Sequence, residues 1–142
     1  MKTHEKRLYQ ENSISQQLLL LYILGNTAFT IFCVNHMDVS YRLGVFVMLN
    51  VFLSLLAFLT AVRQKMYAIQ WGYVGSALAV FQVMRLMWVP AEIDDPLRLL
   101  LKVLLIATAM LAFAGSLICI QRSRERQKYI IENNIDPVML QQ

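Results

Sequence analysis

Residues 66–120 read MYAIQWGYVGSALAVFQVMRLMWV, then PAEIDDPLR, then LLLKVLLIATAMLAFAGSLICI, and this stretch decides the fold. Two long apolar runs flank a short segment with two prolines, one glutamate and two aspartates. Pro90 cannot extend the hydrogen-bond ladder of the run before it, Asp95 can cap the next helix, and Pro96 suits a first helical turn. The pattern predicts a helix that stops, a tight turn and a helix that restarts, with each run long enough to cross a hydrocarbon core of about 30 Å.

The same reading extends toward the N-terminus. Leu18 to Val34 (LLLLYILGNTAFTIFCV) and Leu43 to Val62 carry no charge, so four spans are expected over 18–34, 43–62, 66–89 and 99–120. The first, at about 17 residues, is near the lower length limit. It lacks the small-residue cleavage pattern of a secretion leader and reads as a retained span. The fold class is all-α, a polytopic membrane protein of four transmembrane helices in an antiparallel bundle. Residues 1–17 form an N-terminal segment and 121–142 a basic C-terminal tail.

Composition agrees with that class. The chain has 142 residues, 58% of them hydrophobic and 15% charged, with a net charge of +4. Mean hydropathy is +0.51, too apolar for an ordinary soluble domain. The positive charge flanks the spans and does not cover a folded soluble surface, so no nucleic-acid partner is expected. Lys2, Lys6, Arg7, Arg63, Lys65, Arg122, Arg124, Arg126 and Lys128 fall on one side, and Arg42 and Arg98 alone on the other. By the excess of basic residues on cytoplasmic loops, both termini are expected inside, and the compact form without organelle signals points to a plasma membrane of the bacterial inner-membrane type.

Small and weakly polar residues mark the faces on which membrane helices approach one another. Such faces are expected at Asn50, Ser54, Ala57 and Ala61, at Gly72, Ser76 and Ala79, and at Thr108, Ala112, Gly115 and Ser116. Asn26, in Gly25-Asn26-Thr27, falls at mid-membrane, where an unpaired amide would cost several kcal/mol. It needs a partner on a neighbouring helix, another subunit or a substrate. Asn26, Gly72, Ser76, Ala112 and Ser116 are the expected interhelical or subunit contacts.

Two ionisable residues lie inside the spans, Arg85 and Lys102, and charge inside a membrane is a functional-site hypothesis by default. Both lie about 7 Å from the outer interface by helix rise, so both are expected to snorkel outward toward Glu92, Asp94 and Asp95. The functional reading adds Gln82 and Asn50, making Asn50, Gln82, Arg85 and Lys102 a polar cationic patch for a lipid headgroup or an anionic solute.

Other chemistry finds little support. No Asp or Glu lies within a span, which argues against a proton-driven exporter acting alone. His4 and His36 sit on opposite sides and cannot form a bis-histidine haem, and no hydrolase or phosphate-loop motif is present. Cys33 and Cys119 belong to opposite ends of their spans, beyond disulfide reach. No catalytic residue, metal or cofactor is expected. The leading expectation is a non-catalytic accessory subunit of a larger membrane complex, a transport system, with other membrane subunits as partners and anionic lipid at the basic tail. A small self-associating transporter or channel for a polar or anionic solute is the alternative, and a lipid-modifying membrane enzyme holding phosphate at Arg85 and Lys102 the third.

Overall fold

A computed structural model describes residues 11–91 and 93–135. Four α-helices account for most of them: α1 (Ser13–His36), α2 (Tyr41–Lys65), α3 (Ile69–Met84) and α4 (Asp95–Glu132), with a 3₁₀ turn (Arg85–Trp88) continuing α3. The described residues contain no strand. By length and composition α1, α2 and α4 can each cross a membrane. The α-helical part of α3 has 16 residues, about 24 Å of rise.

Local chemistry sets these ends. The third apolar run begins with a turn, since Tyr67 has φ 59° and the N–H groups of Met66 and Tyr67 donate to Arg63 O and Gln64 O. Helix α3 therefore starts at Ile69. At its far end it tightens into the 3₁₀ turn, and Val89 is extended (φ −63°, ψ 125°), as a residue before proline is steered to be. Asp94, not Asp95, holds the N-cap position of α4, and no side chain caps it. Asp95 enters the first turn, where its carboxylate accepts from Arg98 at 2.5 Å. With 38 residues, about 57 Å of rise, α4 is far longer than a hydrocarbon core, and the QRSRERQKYIIE segment continues it without a break. The N-terminal residues Lys2, His4, Lys6 and Arg7, like the C-terminal Asp136-Pro137 and Val138-Met139-Leu140, lie outside the described residues, as does Glu92.

The helices form a ring in which α1 packs on α2 and α4, and α3 on α4 and α2, with little contact across the diagonal between α2 and α4. Neighbours run antiparallel. Asn12 N–H donates to Lys65 O at one end of the α1–α2 pair, while Asn26 meets Ser54 in its middle. Two glycines allow close approach to α4: a Cβ at Gly25 would overlap the methyl of Thr108, and one at Gly75 would overlap Ser116 Oγ. Apolar side chains such as Met48, Phe52, Val103 and Met110 cover the outside, as a lipid-facing surface requires.

Candidate functional site: a buried arginine held by neutral amides

Arg85 is only 4% exposed, and it does not snorkel outward to the acidic loop. Its guanidinium reaches back into the bundle. Nη1 donates to Asn26 Oδ1 (2.7 Å) and Gln82 Oε1 (3.0 Å), and Nη2 to Asn50 Oδ1 (2.6 Å). The guanidinium carbon stands 4.8 Å from the centre of the Phe29 ring and 6.0 Å from that of Phe46, within cation–π range.

The direction follows from helix geometry. Cα–Cβ bonds tilt toward a helix's N-terminus, so a long side chain at a helix's C-terminal end is aimed back along the helix toward the middle of the bundle. Arg85 occupies that position on α3. Lys102 lies near the N-terminal end of α4, where the same tilt aims it toward the helix end and away from the middle of the bundle. It is partly exposed, and no hydrogen bond or ion pair joins it to the described residues around Arg85. Of the four residues in the expected patch, the fold joins Asn50, Gln82 and Arg85 and leaves Lys102 apart. Lys102→Ala is accordingly expected to shift stability by no more than about 0.5 kcal/mol, measured by unfolding in detergent.

Each amide is anchored through its NH₂ group, which leaves its oxygen for the cation. Asn26 donates to Ser54 Oγ (3.0 Å) and to Asn50 O (3.4 Å), Asn50 to Phe46 O (2.8 Å), and Gln82 to Thr108 Oγ1 (2.9 Å). Tyr22, fully buried, donates to Gln82 Oε1 at 3.4 Å. Three carbonyl dipoles from three elements thus converge on one positive charge in a low-dielectric interior, where ion–dipole contacts are strong and an unmatched group is costly. The two described ion pairs, Lys65–Glu11 and Arg98–Asp95, lie at helix ends and do not involve Arg85.

The other singled-out residues fall elsewhere. Gly72, Ala112 and Ser116 are buried between helices, while Ser76 is half-buried and turns its hydroxyl back to Gly72 O (3.0 Å). Ser116 belongs to a second polar cluster near the other end of the bundle. There Gln64, fully buried, donates to Trp71 O (2.9 Å) and Ser116 Oγ (3.4 Å), Ser123 donates to Tyr67 O, and Arg122 donates to Asn12 Oδ1 (3.1 Å). Between the clusters lies an apolar layer of Leu19, Ala57, Ala61, Leu78, Ala79 and Ala112. Cys33 and Cys119 are both buried and both free.

Tyr22, Phe29, Phe46 and Thr108 complete the arginine's surroundings, although the sequence patch did not include them. Tyr22, Asn26, Phe29 and Cys33 recur at helical spacing along one face of α1, and that spacing was the available signal. Among the described residues no group of His, Cys, Asp and Glu could hold a metal ion. No family model, curated protein or solved structure matches the chain.

Proposed function

We propose that the protein is a non-catalytic subunit of a larger membrane transport assembly, crossing the membrane four times with both termini on the cytoplasmic side of a bacterial-type plasma membrane. The observation that carries this reading is the engagement of the three amides around Arg85 inside the bundle. The oxygens of Asn26, Asn50 and Gln82 accept from Arg85, their NH₂ groups donate to Ser54, Phe46 O and Thr108, and an apolar layer separates this network from the second cluster. A bundle packed this way is a rigid block for other chains to build on.

Four crossings are supported by the 3₁₀ turn. It adds about 8 Å to the 24 Å of α3, and the total of about 32 Å matches the hydrocarbon core. The basic extension of α4, with Arg124 donating to Tyr73 at 3.2 Å, suits a cytoplasmic surface next to anionic lipid. Reporter fusions after Gln142 are expected to be active in the cytoplasm and inactive outside it; the reverse pattern would invert the topology.

Copurification in a mild detergent tests the subunit reading. A stoichiometric membrane partner is the expected result, and a lone monomer from native membranes would remove it. The buried positive charge of Arg85 favours one second reading, a self-associating carrier or channel for an anionic solute. Anion flux in vesicles containing this chain alone would support that reading, and no flux is expected here.

A further inference from the structure

Between α1 and α2 the membrane-facing surface holds a groove of about 510 Å³, running from Leu20 and Phe58 to Thr30 and Asn50. Leu24 and Leu55, 66% and 64% exposed, form its lips. Asn50 and Ser54 line it, and both belong to the network that holds Arg85. We infer that this groove seats a transmembrane helix of a different chain that carries a carboxylate at the depth of Asn50, and that the carboxylate pairs with Arg85.

Charge complementarity selects this occupant. Arg85 holds a full positive charge against neutral dipoles alone among the described residues, and a carboxylate is the acceptor that a guanidinium fork binds most strongly. Asn50 both lines the groove and accepts from Nη2, so a carboxylate at its depth would compete with Asn50 Oδ1 for the guanidinium. The groove follows α1 from Leu20 to Thr30, about 15 Å or nearly three helical turns, and Thr27, Thr30 and Ser54 keep its floor low enough for a close backbone. A lipid chain would fill the same apolar length but brings no acceptor to mid-membrane depth. A second copy of this chain brings none either, because no Asp or Glu lies within the apolar spans.

The inference rests on the subunit reading, and its test is separate from copurification. Designed polyleucine helices of about 20 residues, with Glu, Gln or Leu at the centre, are reconstituted with the full chain in vesicles, and association is followed by energy transfer. The Glu helix is expected to bind wild type about tenfold tighter than the Leu helix. Arg85→Gln should abolish that preference, while Leu55→Trp, which fills the groove from its lip and leaves Arg85 in the chain, should weaken binding of the Glu helix. Equal binding of the Glu and Leu helices to wild type, or a preference that survives Arg85→Gln, overturns the pairing. A chain that copurifies with a partner yet shows no Glu preference keeps the subunit reading and loses this one.

Discussion

Replacing Asn26 with leucine is expected to cost about 3 kcal/mol of bundle stability, although the two side chains are nearly equal in size. The substitution removes an acceptor from the guanidinium at 2.7 Å and leaves the charge in a low-dielectric interior one partner short. It also strips Ser54 of a donor. Ser54→Ala makes the useful comparison, because it deletes one neutral hydrogen bond and leaves Arg85 untouched. Its cost is expected near 0.6 kcal/mol, the usual scale of such bonds between membrane helices. Unfolding both variants in mixed micelles separates the two figures, and equal small losses would mean that the charge is not held by Asn26.

Gly75→Val is the second large effect, with an expected loss of about 3 kcal/mol. Any Cβ there meets Ser116 Oγ and Gln64 Nε2, so α3 must move away from α4 and break the Gln64 cluster as it goes. Gly44 is the control, since a Cβ there meets nothing within 4 Å. Gly44→Ala should be neutral or stabilise by up to about 1 kcal/mol, the helix-propensity gain alone. A comparable small change at Gly75 would show that α3 and α4 do not approach this closely.

Both expectations depend on features of different legibility in the sequence. The helices were readable because apolar length and the Pro90–Pro96 junction are local signals, and the 3₁₀ end of α3 follows from the proline that stops it. The grouping of Asn50, Gln82 and Arg85 was readable from their spacing along predicted helices. The inward direction of Arg85 was not read, because rise per residue gives depth and says nothing of side-chain direction. The tilt of the Cα–Cβ bond separates Arg85 from Lys102 at equal depth, once helix polarity is considered. Membership of Tyr22, Phe29 and Thr108 needed the ring order of the helices, which depends on interhelical contacts and not on any single stretch of chain. The placement of Asp94 at the N-cap, one residue before the expected Asp95, reflects how little local sequence fixes a helix end in a short acidic turn.

A double-mutant cycle between Asn26 and Arg85 tests the buried arginine most directly, with Asn26→Leu, Arg85→Met and the pair unfolded under the same lipid conditions. If Arg85 is held inside the bundle as described, the double variant will be more stable than the sum of the single losses predicts, by at least about 1 kcal/mol, because removing the charge relieves the site that Asn26→Leu left short of an acceptor. Losses that add to within about 0.5 kcal/mol would contradict it and place the Arg85 guanidinium outside the bundle interior.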